Sequence, residues 1–209
     1  MYDAFLKTPK TIAQCDRDFI KWHGGVSHYG FWAVVVNDLN WLELFYAARS
    51  LVKQFIHPGY QRAPHITIVA CGLLDQKHFS TQRLECQLIA LTEAMINPFS
   101  LNATSLGSFT TAPYITVEDP TGSLNQIREL LSTISKEDNP VPYQPHVTIG
   151  LYRDAFDTQQ VAECLQAFQR APAGSMLVTE LVFCAYETKE IQGPISILER
   201  VKLNYADPV

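Results

Sequence analysis

Two short stretches hold the residues best suited to chemistry. "PHITI" starts at Pro64 and "PHVTI" at Pro145, so His65 with Thr67, and His146 with Thr148, repeat one pattern 81 residues apart. Both lie in apolar, β-branched runs, "PHITIVACGLL" (64–74) and "PHVTIGLY" (145–152), that read as strands. Successive side chains of a strand point to opposite faces, so positions i and i+2 share one. Each strand therefore turns an apolar face (Ile66 and Ile68; Val147 and Ile149) to a core and an imidazole with a hydroxyl to the other side. If those polar faces line one cleft, one imidazole can serve as base and the other as acid near neutral pH. The threonine hydroxyls are placed to donate to the non-bridging oxygens of a phosphodiester. This scheme needs no metal and no cofactor. A single His-x-Thr is a weak signal, better read as a half-buried strand histidine bonded to a carbonyl. Two copies in the same Pro-His-aliphatic-Thr-Ile setting reverse that preference.

The elements that must position these strands follow from patterning. "YGFWAVVVN" (29–37) reads as a strand and 41–56 as an amphipathic helix capped by Asp38 or Asn40. After the first motif come a helix over 79–96, paired strands at 99–109 and 113–119, and a helix over 121–136. A proline-rich loop, "KEDNPVPYQ", leads into the second motif. A helix at 157–170 and strands at 176–187 and 194–203 complete the chain, with a short helix near Cys15–Trp22 ahead of everything. Without a glycine fingerprint for a dinucleotide, this alternation predicts an α+β fold. A strand and helix around each motif suggest an internal duplication into two lobes.

Composition sets bounds. The chain has 209 residues, is 47% hydrophobic and carries a formal charge of −5, with no basic run to track a long phosphate backbone. A nucleic-acid substrate is therefore expected to be small or a terminus, with no long groove. No apolar run approaches the ~20 residues of a membrane span, and the N-terminus lacks a signal-peptide pattern. The five cysteines, Cys15, Cys71, Cys86, Cys164 and Cys184, have no CxxC pairing. Reduced thiols, a cytoplasmic location and a monomer are expected.

The pair "HIT…HVT" resembles the 2H phosphoesterase superfamily, the 2′-5′ RNA ligase-like and cyclic phosphodiesterase proteins. The likeness extends to the strand at 30–37, to "FSLNATSLGSF" and to the closing "TELVFCAYETKEIQGPISILERVKLN". It covers residues 29–203, leaving 1–28 as an N-terminal extension and 204–209 as a tail. The resemblance implies two pseudo-symmetric lobes of antiparallel sheet around a V-shaped cleft, with helices outside. It also implies metal-independent hydrolysis of 2′,3′-cyclic phosphates or related cyclic nucleotide or RNA-end phosphodiesters. Alternatives are a 2′-5′ RNA ligase, a 2′-5′ oligoadenylate phosphodiesterase, or a nucleotide-binding module that takes AMP-like ligands without turnover. It assigns His65 and His146 as catalytic and Thr67 and Thr148 as phosphate-binding. Many relatives carry an arginine or stacking aromatic just after the second motif. Here "GLYR" makes Tyr152 and Arg153 the candidates, Tyr152 by strand parity with His146.

Other residues have plainer readings. Trp32, beside Tyr29 and Phe31, is a candidate stacking surface, although core packing is the favoured role for all three. Arg62 and Tyr60 precede the first motif and suit either a phosphate contact or solvent. Cys71 shares strand parity with His65 but reads as a small buried residue. Ser105 and Ser108 flank Gly107 in an expected turn. His23, His28, His57 and His78 have no ligand spacing and read as surface histidines.

Overall fold

The computed structural model describes residues 2–14, 18–137, 142–169 and 173–204. Eight strands form one antiparallel sheet curled into a half-barrel. Its order is β6 (Ser175–Val178), β3 (Phe99–Ser108), β4 (Pro113–Glu118), β5 (His146–Thr148), β2 (His65–Leu73), β1 (His28–Val35), β7 (Glu180–Glu187) and β8 (Ser196–Lys202). The two lobes are the four-strand halves β6-β3-β4-β5 and β2-β1-β7-β8. They meet at one residue pair, Ile66 with Val147. Each motif strand is thus the inner edge of its own half.

The helices are α1 (Tyr2–Leu6), α2 (Ile20–His23), α3 (Leu39–Val52), α4 (Thr81–Glu93), α5 (Ser123–Ile134) and α6 (Thr158–Gln166). Asp38 caps α3 by accepting from the Asn40 and Trp41 N–H groups, Ser80 caps α4 and Asp157 caps α6. One large core lies on the sheet face opposite the cleft. It takes Trp32 and Val34 from β1, Ile66 and Ile68 from β2, Val147 from β5, and the apolar stripes of α3, α4, α5 and α6. Phe5 of α1 is part of that core, and Thr11 and Gln14 bond backbone groups of Phe156 and Tyr152.

Several expected boundaries move. The run 176–187 is two strands: β6 pairs with β3 at one outer edge, whereas β7 pairs with β1 in the other half. "SLGSF" is no turn but part of β3, with an irregularity between Ala103 and Leu106. The expected strand 145–152 stops at Thr148. Beyond it the Ile149 N–H bonds the Pro113 carbonyl, and Gly150 lies so close to Ile56 that a Cβ there would fall 2.8 Å from the Ile56 side chain. The early helix is only Ile20–His23; Cys15 to Arg17 lie outside the described residues, as do parts of the proline-rich loop, Arg170 and most of the tail.

The sheet tolerates little change where β3 passes β4. A Cβ on Gly107 would lie 2.7 Å from the Tyr114 ring, and Tyr114 is fully buried. Gly107→Ala is expected to lower stability by about 1–3 kcal/mol, read from urea unfolding, because the rigid ring must shift.

Candidate active site

The register around Ile66 and Val147 builds the site. Running antiparallel from that pair, Thr67 comes opposite His146, and His65 opposite Thr148. Each histidine thus has the other motif's threonine as its cross-strand neighbour, and the imidazoles occupy diagonal corners. Such diagonal positions are separated by roughly 7–8 Å, a span a phosphate can bridge. Among the described residues no protein group bonds either threonine hydroxyl, so both remain available to a ligand.

Both imidazoles are fixed in the same way. The His65 Nδ1–H donates to the Ala63 carbonyl at 2.7 Å, and the His146 Nδ1–H to the Gln144 carbonyl, also at 2.7 Å. A carbonyl only accepts, so Nδ1 carries the hydrogen and the neutral ring presents a lone pair at Nε2. The intervening prolines explain the repeated Pro-His. Pro64 and Pro145 hold the preceding residue extended, and their own carbonyls accept from the Val36 and Val117 N–H groups.

The rings differ in their surroundings. Phe31 lies 5.3 Å from His65, centroid to centroid, on the cleft face of β1. Phe109, at 4.8 Å and edge-on, and Tyr114, at 5.4 Å, surround His146. Burial, opposed by the Ala63 carbonyl and reinforced by the Arg62 and His146 charges, lowers the His65 pKa to about 4. Burial also pushes His146 below its ordinary value, against the Gln144 carbonyl. Beside His146 opens a cavity of about 430 Å³, walled by residues that include Thr67, Phe109, Tyr143 and Gln144.

The remaining candidates from the sequence lie elsewhere. Trp32 is fully buried on the core face, its Nε1–H donating to Gln87 Oε1 at 2.8 Å, so it is no stacking surface; Phe31 holds the cleft side. Tyr152 is fully buried too, its hydroxyl 2.6 Å from Ser108 Oγ, and burial raises its pKa. Parity with His146 fails because β5 ends four residues earlier. Arg153 is exposed with its N–H on the Phe55 carbonyl, and neither it nor Tyr152 lines the cavity at His146. Cys71 also leaves the cleft face: bulges at Ile68 and Cys71 shift the register against β1, and its thiol joins the core. His23 is not a surface residue; it is 1% exposed, accepts from the Gly25 N–H and bonds Asp18. Arg62 sits over the Tyr186 ring at 3.9 Å, within electrostatic reach of His65. Sequence reading missed Phe109, Tyr143 and Gln144 as cleft residues and Tyr114 as the buried ring against His146. The only available signal was that Gln144 sits two before a histidine, as Ala63 does.

A pH dependence of stability follows. His65 binds a proton near pH 4 when folded but near 6.5 when unfolded, so the unfolded chain holds more protons in that window. Its contribution is intact above about 6.5 and is lost as pH falls toward 4, a change on the order of 3 kcal/mol. His65→Gln is expected to flatten the drop in unfolding free energy between pH 7 and 4, measured by denaturant titration.

Known proteins resemble this chain in sequence family and in fold. Residues 41–190 match the family described as the 2′-5′ RNA ligase superfamily. A search of curated proteins gives no match. Among solved structures, E. coli LigT complexed with 3′-AMP superimposes with a TM-score of 0.56 at 18% identity, covering 86% of this chain and 99% of LigT. LigT complexed with phosphate gives 0.54 at 16%, over 87% and 100% of the two chains. The protein TT0787 of Thermus thermophilus gives 0.55 at 16%, over 84% and 97%.

Proposed function

Because the chain belongs to the 2′-5′ RNA ligase superfamily, we propose that it is a metal-independent phosphodiesterase that opens a 2′,3′-cyclic phosphate to a monoester. The observation that carries this reading is the matched pair of carbonyl-fixed imidazoles, each beside the other motif's threonine. The complexes of LigT with 3′-AMP and with phosphate support a nucleotide phosphate as the ligand of the shared fold.

In this mechanism water attacks phosphorus as one ribose P–O bond breaks. Neutral His65 takes the proton of the water at Nε2, and protonated His146 gives one to the departing ribose oxygen. His65 is the base because its environment opposes protonation most strongly. Thr67 and Thr148 donate to the non-bridging oxygens, where negative charge is held in the transition state. With the 5′-hydroxyl of an RNA end in place of water, the same proton transfers would form its bond to phosphorus as the P–O3′ bond breaks, leaving a 2′-5′ linkage. A thermal-shift panel in which nucleotides stabilise the protein without being hydrolysed would mark a binding module instead.

His65→Ala and His146→Ala should each lower turnover of 2′,3′-cyclic AMP by about 10²-fold or more, with the fold retained by circular dichroism. Full activity in either variant overturns the assignment. EDTA should leave the rate unchanged; inhibition restored by added metal would point to a metallohydrolase.

The pH profile carries a second expectation. The productive free enzyme has His65 neutral and His146 charged, and both rings are held below the ordinary value. The kcat/KM should therefore peak on the acid side of neutrality, with its alkaline limb below the ordinary imidazole value because burial lowers His146. A bound anionic phosphodiester favours the imidazolium, so the alkaline limb of kcat should lie higher than that of kcat/KM.

A further inference from the structure

β2 is paired with β1 along its whole length, but on its other edge β5 supplies only Val147, opposite Ile66. Past that point the backbone of β2 would face the cleft wall without a ladder, and buried backbone groups need partners. Three side chains supply them. The Tyr143 hydroxyl donates to the Thr67 carbonyl at 3.0 Å. Arg128 Nη1 donates to the Ile68 carbonyl at 2.6 Å, and Glu137 Oε1 accepts from the Ala70 N–H at 3.1 Å. These groups are joined to one another. Arg128 grips Glu137 through both guanidinium arms, and its guanidinium lies 4.5 Å from the centre of the Tyr143 ring. The Arg128 and Glu137 side chains are only 17% and 11% exposed, so the pair is shielded from solvent.

This cluster stands in for a missing strand, and its position ties it to the chemistry. Arg128 comes from α5, which lies between β4 and β5 in the chain but packs on β2 and α4, so the link to the second motif runs through Glu137 and Tyr143. Tyr143 precedes by one residue Gln144, whose carbonyl fixes the His146 ring and whose side chain donates to the Tyr114 hydroxyl. We infer that Arg128, Glu137 and Tyr143 are positioning residues that lock the His146 segment onto β2 and so set the spacing of the two imidazoles. The inference rests on the two-histidine reading for its activity test, but not for its structural one. None of the three donates or accepts a proton in the reaction. They act by holding the strand junction where β5 is too short to do so.

The test uses the full chain, with 2′,3′-cyclic AMP as substrate and the His146 ring titrated by NMR. Tyr143→Phe removes only the bond to Thr67 and keeps the ring under Arg128; Arg128→Met removes the whole grip. Both are expected to lower kcat by about tenfold or more while KM stays within about twofold, since a small misplacement of catalytic groups costs rate more than binding. The His146 titration should move up toward its ordinary value as water reaches the loosened ring. Of the titratable groups around it, His65 and Tyr114 are untouched by either change, and Tyr143→Phe also keeps the Arg128–Glu137 pair that lines the same cavity, so its shift is the one that decides. Glu137→Gln keeps an acceptor for the Ala70 N–H and should retain more activity than Glu137→Ala. If Arg128→Met does not fold, Tyr143→Phe decides. Wild-type kcat together with an unmoved His146 titration in a folded variant overturns the inference. If wild type does not turn over the substrate, the proposed function fails, and the titration shift alone still decides the clamp.

Discussion

Two strands that touch at one residue pair determine the rest of this molecule. Ile66 and Val147 bring the inner edges of two four-strand halves together. Because strand side chains alternate, that contact turns four polar side chains toward one cleft and leaves four aliphatic ones in the core. Were the halves joined along a full ladder, the cleft would close. Were they unpaired, the imidazoles would have no fixed spacing.

Within that frame, each histidine is oriented from behind by the carbonyl two residues before it. The device costs no extra side chain, and it leaves Nε2 outside that bond on both rings. The surroundings then separate the two. His65 sits deeper, against Phe31 and near the Arg62 charge, whereas His146 lies at the mouth of the cavity between Phe109 and Tyr143. Two groups of one kind can take different protonation states when their environments differ in this way.

The short β5 brings a liability, an inner edge of β2 without a strand partner. The Arg128–Glu137 pair with Tyr143 answers it from α5 and the segment that leads into β5. A largely buried ion pair adds little stability by itself. Its use here is geometric, since the same atoms that neutralise each other also satisfy backbone groups on the strand carrying Thr67.

The sequence by itself determined the two motif strands, which residues of each share a face, the α+β class and the main helices with the Asp38 cap of α3, because these depend on local periodicity and near-neighbour hydrogen bonds. It could not determine how far a strand runs before another element captures it. Tyr152 kept the parity of His146 on paper but entered the core, because β5 ends at Thr148. Trp32 failed as a cleft candidate because its side chain takes the buried face of β1, whereas Cys71 is the small buried residue its type suggested, turned to the core by a bulge. Only the tertiary structure decided the diagonal placement of the histidines, their aromatic neighbours and the Arg128 clamp. Those contacts join residues far apart in the chain, and their geometry is set by packing rather than by spacing.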